Sequence, residues 1–150
     1  MKYLLDSNII SDFYDRESSG HEAIFLKLSV LPDDTQIFMS ILSLYELEYG
    51  YANANELIKS TIRAKITEAQ EDFEVLPLSR DGAKIFGEIK QLFKEKRKIS
   101  SKNIKKHNID LMFAAEALVH NCILVSADRI FKDVLELNPE LKLENWLSNS

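Results

Sequence analysis

The feature that most constrains this chain is a set of short, predominantly apolar runs separated by helix-length amphipathic segments. Residues 2–5, 36–42 and 122–126 place apolar side chains at consecutive positions, the pattern of a strand buried on both faces. Residues 75–78 and 141–143 are shorter candidates, the last an edge strand, and Trp146 closes the chain. Between these runs, spacings of three and four residues predict helices over 8–16, 21–31, 43–53, 56–73, 81–98, 109–120 and 128–137. The helix at 81–98 is the most regular, with Ile85, Ile89 and Leu92 on one face flanked by Phe86 and Phe93. Strands alternating with helices in this way predict a parallel sheet covered by helices on both sides.

At 150 residues with 45% hydrophobic content, the chain has the length of one domain and enough apolar side chain for a full core. The expectation is a single domain over 1–150. One cysteine, Cys122, excludes a disulfide framework or a cysteine-based metal site. Asp6 interrupts any signal-peptide core, and no apolar run approaches the roughly 20 residues of a membrane span. A soluble cytoplasmic protein without membrane attachment is expected.

The net charge of −5 argues against a protein that coats nucleic acid by bulk attraction, but the charge is unevenly distributed. Residues 94–107 hold seven basic side chains against the single acid Glu95, a local balance of +6 that leaves −11 for the rest. Lys94, Arg97, Lys98, Lys102, Lys105, Lys106 and His107 are the residues of this stretch that suit a polyanion such as RNA. A solvated helix end and loop is the plainer reading.

Four acids fall at telling places on the predicted frame. Asp6 ends the first strand, Glu46 lies in the first turn after the second, Asp128 follows the 122–126 strand, and Asp110 opens its own helix. In a parallel sheet, ligands bind beyond the carboxyl ends of the strands, where this topology delivers these side chains. Each acid also has a local explanation. Ser43 and Glu46 have the spacing of a capping box, Asp110 and Asp128 suit helix N-termini, and Asp6 suits a turn. A single site accounts for all four more economically, because gathered carboxylates either take up protons or bind a cation. Oxygen-only ligands select Mg²⁺ or Mn²⁺, as one or two ions, and such ions suit phosphodiester hydrolysis. Ser7, Asn8 and Ser126 stand where they would orient the acids. Ser126 has no histidine placed to make it a nucleophile.

These segments resemble the PIN-domain ribonucleases. Leu4-Leu5-Asp6-Ser7-Asn8-Ile9-Ile10 is similar to the opening motif of that family, and Ile41 through Gly50 to its second block, with Glu46 at the acidic position. Asp110-Leu111-Met112-Phe113-Ala114-Ala115 resembles the third block, and Ser126-Ala127-Asp128-Arg129-Ile130-Phe131 the fourth. The resemblance implies a three-layer α/β/α PIN-like fold with a mostly parallel central sheet. It also implies a Mg²⁺- or Mn²⁺-dependent endoribonuclease that leaves a 5′-phosphate and a 3′-hydroxyl. Size favours the VapC-like branch, the toxins of type II toxin–antitoxin pairs, which implies a small cognate antitoxin and a homodimer. Catalytic and metal-holding roles then fall to Asp6, Glu46, Asp110 and Asp128. Ser7 replaces the common Thr, and Ala127 and Ile130 depart from residues frequent in the family.

Two other readings fit part of the pattern. A phosphatase of the HAD type also has an Asp after its first strand, but it calls for a second Asp where Asn8 stands. A non-catalytic RNA- or protein-binding module would gain nothing from collecting negative charge beside phosphate. His21 and His120 have no partner at metal-ligand spacing, and Cys122 reads as core. Glu116 lies about 240° around the helix from Asp110 and cannot closely share an ion with it. Asp12 and Glu48 read as solvent-facing. Tyr45, Tyr49, Tyr51 and Phe113 read as packing or dimer contacts in preference to base-stacking surfaces.

Overall fold

A computed structural model describes residues 1–147. Strand β1 (Lys2–Leu5) is followed by α1 (Ser7–Phe13), α2 (His21–Ser29), β2 (Gln36–Ser40), α3 (Ile41–Ala52) and α4 (Lys59–Asp72). Strand β3 (Glu74–Leu76) leads into α5 (Arg80–Arg97), a 3₁₀ turn (Asn103–His107) and α6 (Asn108–Val119). Strand β4 (Ile123–Val125), α7 (Ile130–Leu137) and β5 (Lys142–Glu144) complete the fold. The strands form one sheet in the order β3-β2-β1-β4-β5, and every pairing is parallel.

The two-residue period of the strands divides their side chains between two cores. Leu4 and Leu124 pack with Ile89 and Phe93 of α5, Leu111 and Phe113 of α6, and Phe131 of α7. Tyr3, Leu5, Ile123 and Val125 face the other way, onto Ile9 and Ile10 of α1, Ile24 of α2, Ala69 of α4 and Trp146. The architecture is therefore α/β/α in three layers. Leu4, Leu5, Leu124 and Val125 are wholly buried. Each such aliphatic side chain contributes about 1.5–3 kcal/mol, so the central pair β1–β4 is the rigid floor of the molecule.

Helices α5 and α6 form an antiparallel hairpin. Phe93 near the end of α5 meets His107 at the start of α6, while Gly82 at the start of α5 abuts Glu116 late in α6. A Cβ at Gly82 would collide with the Glu116 carboxylate, so glycine is needed for this close approach. Glu116 is buried and accepts from the Ser79 backbone N–H at 2.8 Å, from the Ser79 hydroxyl and from His120 Nε2. It holds the hairpin together and faces away from any ion that Asp110 would bind.

Several boundaries differ from the sequence-based expectations. Helix α1 spans Ser7–Phe13 where 8–16 was expected, and Asp6 caps it, its carboxylate accepting from the Ser7 N–H. Strand β2 stops at Ser40, whose hydroxyl accepts from the Leu42 N–H and starts α3 at Ile41, two residues before the expected Ser43. Ser43 and Glu46 therefore do not form a capping box, and Glu46 lies in the second turn. Helix α7 begins at Ile130, leaving Asp128 in the preceding turn. The run at 75–78 pairs only as far as Leu76, because Pro77 has no N–H to give a ladder. Among the described residues no helix is long and apolar enough to cross a membrane.

Candidate active site

The strand order places a topological switch between β1 and β4. From β1 the chain moves outward to β2 and β3, then returns to β4 on the opposite side of β1. Connections leave the ends of these two strands toward opposite layers and open a crevice there. Asp6 and Ser126 are the first residues beyond the two strand ends, and the Asp6 N–H still donates to the Val125 carbonyl at 3.0 Å.

The Asp6 carboxylate is buried and held from both sides. Oδ1 accepts from the Ser7 N–H at 2.8 Å and Oδ2 from the Ser126 hydroxyl at 2.8 Å. Ser126 is itself buried, and its Oγ accepts from the Asp128 N–H at 3.0 Å, linking Asp6 to the turn that carries Asp128. Burial pushes Asp6 above the ordinary carboxylate range. The two hydrogen bonds oppose that shift, and the charge of Asp128 adds to it.

Glu46 reaches the crevice from α3. Its Oε1 accepts from the Ser7 hydroxyl at 3.2 Å, and Ser7 Oγ lies 2.8 Å from Ser43 Oγ. Burial raises Glu46 too; the Ser7 hydrogen bond works against the shift and the Asp6 charge reinforces it. Asp110, in the first turn of α6, is the most perturbed of the four. Burial first, then the charges of Asp128, Asp6 and Glu46, push it up to about 6. Among the described residues its carboxylate has no hydrogen-bond or ion-pair partner. Asp128 is exposed, with Oδ1 accepting from the Ile130 N–H at 3.1 Å.

The four carboxylates thus lie within reach of one another's fields, but they do not close into a cage. Among the described residues, no three His, Cys, Asp or Glu side chains stand close enough together to hold a metal ion unaided. The site lies between two depressions. One of about 280 Å³ is lined by Ser7, Ser43, Glu46 and Gly50, and one of about 390 Å³ by Asn8, Asp12, Ala127 and Asp128. Asn8 is exposed in the second depression and, among the described residues, makes no hydrogen bond to Asp6.

The basic stretch occupies the tip of the α5–α6 hairpin, three residues before Asp110 along the chain. Lys98 ends α5 in the left-handed conformation (φ 52°), a common helix terminator, and with Lys102, Lys105 and Lys106 is exposed. Lys94 is half-buried, and His107 packs its ring on Phe93. Arg97 is engaged within the molecule, bridging Asp133 at 3.1 Å and Glu136 at 2.9 Å on α7.

Other polar residues have structural partners. Glu48 holds Arg63 through two hydrogen bonds and joins α3 to α4, while the Arg63 guanidinium lies over the Tyr51 ring. Glu48 is thus paired, not simply solvent-facing. His21 sits between Phe13 and Phe25. Phe113 is core, whereas Tyr45 and Tyr49 project from α3 into solvent, each about 70% exposed. A further depression of about 870 Å³ lies away from the four acids, lined by residues at the end of α1 and on α2 and α4.

The PIN domain family model matches residues 3–137. The chain belongs to the PIN-domain family. No curated protein matches it by sequence. Among solved structures, this PIN-domain chain is similar to a chain of VapBC2 from Rickettsia felis bound to a DNA fragment from its promoter. The two share 26% identity and a TM-score of 0.77, over 97% of this chain and 99% of the other. VapBC-1 from nontypeable Haemophilus influenzae superposes with a TM-score of 0.76 at 21% identity, covering 99% of this chain and 100% of that one. FitAcB from Neisseria gonorrhoeae also gives 0.76 at 21%, covering 97% and 98%. At that identity the last two show the shared PIN fold.

Proposed function

We propose that the protein is an endoribonuclease that uses Mg²⁺ or Mn²⁺ and cuts RNA at the crevice between β1 and β4. The observation that carries this reading is Asp110, a carboxylate pushed up to about 6 beside three other acids and with no cationic partner among the described residues. Such a group is relieved by a proton or a metal ion, and an all-oxygen donor set suits Mg²⁺ or Mn²⁺. Mg²⁺ keeps much of its water and takes only one or two carboxylates directly, so an open set of acids fits it better than a closed cage. Asp6 and Asp110 would hold one or two such ions directly, with Glu46 and Asp128 acting through water. When bound, the ion polarises the phosphate and makes its water acidic enough to attack near neutral pH.

The chain's own groups do the remaining work. Ser7 and Ser126 fix the two oxygens of Asp6, leaving its outward lone pairs free for the crevice. One of the acids takes the proton of the attacking water. The new oxygen–phosphorus bond forms in line with the breaking bond to the 3′ oxygen, which leaves with the bonding electron pair and takes a proton from solvent water, giving a 5′-phosphate and a 3′-hydroxyl. Lys94, Lys98, Lys102, Lys105, Lys106 and His107 draw in the RNA backbone beside the acids, and Asn8 faces the strand from the Asp128 side. Arg97, tied to α7, supports the tip.

We further infer one nuclease domain over the whole chain, working in the cytoplasm as the toxin of a toxin–antitoxin pair. The likeness to the VapBC2 and FitAcB structures supports that pairing. So do Phe25 and Leu26 of α2 and Val30 just after it, all more than half exposed, with Phe25 lining the depression of about 870 Å³, a surface suited to a protein partner. A homodimer is part of the same proposal, with the exposed Tyr45 and Tyr49 as candidate contacts. The test is Asp6→Asn and Asp110→Asn, each checked for folding. Loss of Mg²⁺-dependent cleavage is expected, and undiminished cleavage overturns the assignment. The competing reading, a non-catalytic RNA- or protein-binding module, predicts tight RNA binding in EDTA and RNA left intact with Mn²⁺.

A further inference from the structure

Ser43 has no role in the mechanism above, yet it is a buried polar side chain beside the acids, only 1% exposed. The cap of α3 is supplied by Ser40, so helix initiation does not require a hydroxyl at 43. What Ser43 touches is Ser7, at 2.8 Å between the two oxygens. Ser7 in turn bonds the carboxylates of two of the four acids, through its N–H to Asp6 Oδ1 and its hydroxyl to Glu46 Oε1. Those acids follow different strands, so Ser7 ties together the ends of β1 and β2 at the crevice.

Proton counting sets the direction of this chain. A serine hydroxyl has one proton, and an ionised carboxylate only accepts. The Ser7 proton therefore goes to Glu46, and the contact between the serines requires Ser43 to donate to Ser7. Burial of Ser43 keeps water from taking its place. We infer that Ser43 is a positioning residue for the metal-binding acids, donating to Ser7 so that Ser7 donates to Glu46 and holds it at a fixed distance from Asp6. With alanine at 43, the Ser7 hydroxyl has lost one of its two partners and turns toward the open depression beside Glu46. The inference rests on the metal-dependent reading given above.

The test is Mn²⁺ affinity of the metal-free full chain, measured by calorimetry without RNA, together with thermal melts. The variants are Ser43→Ala, Ser43→Cys, Ser43→Thr, Ser7→Ala and the double Ser7→Ala/Ser43→Ala. One hydrogen bond's worth of positioning predicts an affinity about fivefold to tenfold weaker for Ser43→Ala. Ser43→Cys, similar in size with a weak donor, falls with it, and Ser43→Thr, which keeps the hydroxyl, restores most of the loss. Because Ser43 acts through Ser7, the double variant binds no more weakly than Ser7→Ala alone. A purely structural Ser43 would lower the melting temperature and leave Mn²⁺ affinity at the wild-type value. That outcome, or additive losses in the double variant, overturns the inference while leaving the metal site intact. A wild-type chain that takes up no Mn²⁺ overturns the metal-dependent reading, and the inference with it.

Discussion

Neutralising Asp110 should stabilise the metal-free protein even though it removes a metal-binding acid. Its carboxyl lies at about 6 against an ordinary 3.8, so above pH 6 the fold holds a charge it disfavours. The full displacement corresponds to about 3 kcal/mol. Partial exposure screens roughly half of that, leaving about 1.5 kcal/mol. Removing a negative charge from the first turn of α6 gives back about 0.5 kcal/mol. Asp110→Asn should therefore gain about 1 kcal/mol, or about 2–4 °C in melting temperature for a chain of this size. The sign follows from a raised acid. The penalty is complete above the folded value of about 6 and disappears below the unfolded value of 3.8, so the gain should shrink between pH 6 and 4. The assay is differential scanning fluorimetry in EDTA across that range. Saturating Mg²⁺ should reverse the order, since a ligand at 100 times its Kd adds about 2.7 kcal/mol to a chain that binds it and less to the variant. A variant less stable than wild type in EDTA at pH 7.5, by a margin constant with pH, would refute the electrostatic account.

Other consequences follow from the same geometry. Cleavage and Mg²⁺ affinity should both decline below about pH 6, because Asp110 protonates there and Asp6 and Glu46 are raised as well; equal calorimetric affinity at pH 5 and 8 would contradict this. Ser126→Ala leaves Asp6 Oδ2 and the Asp128 N–H without their partner and should cost about 1–3 kcal/mol in chemical denaturation at pH 7.5, a cost that a melt unchanged from wild type would rule out. Gly82→Ala drives a methyl into the Glu116 carboxylate and should cost about 1–3 kcal/mol by separating α5 from α6, read as a lower urea midpoint. Changing Lys102, Lys105 and Lys106 together to Gln should lower the salt dependence of single-stranded RNA binding by about 0.7 per lost phosphate contact, with an unaltered slope excluding the hairpin tip from the RNA path.

The parallel sheet was readable because its central strands β1 and β4 are buried on both faces and so appear as short apolar runs. Helix starts were harder to read. Near residue 40 the serines at 40 and 43 compete as cap, and only the turn of the chain leaving β2 favours Ser40. That choice separates a local capping role for Glu46 from its contact with Ser7, thirty-nine residues away in sequence. The placement of Asp6 and Ser126 together follows from strands that pair across more than a hundred residues, which the order of the runs implied without setting a distance. Ser43 was hidden by its resemblance to a cap. Arg97 looked like part of a uniform basic run, because its partners Asp133 and Glu136 lie on α7 and reach it only through tertiary packing. How closely the four acids approach one another depends on side-chain rotamers and mutual repulsion, which residue spacing does not encode.

The most direct measurement is an anomalous difference map from crystals of the protein grown with Mn²⁺. A peak at inner-sphere distance from an oxygen of Asp6 or Asp110, with Glu46 and Asp128 facing its water shell, is the expected result. Crystals that show Mn²⁺ elsewhere, or no peak at the β1–β4 crevice, would contradict a shared cation as the reason these carboxylates are gathered there.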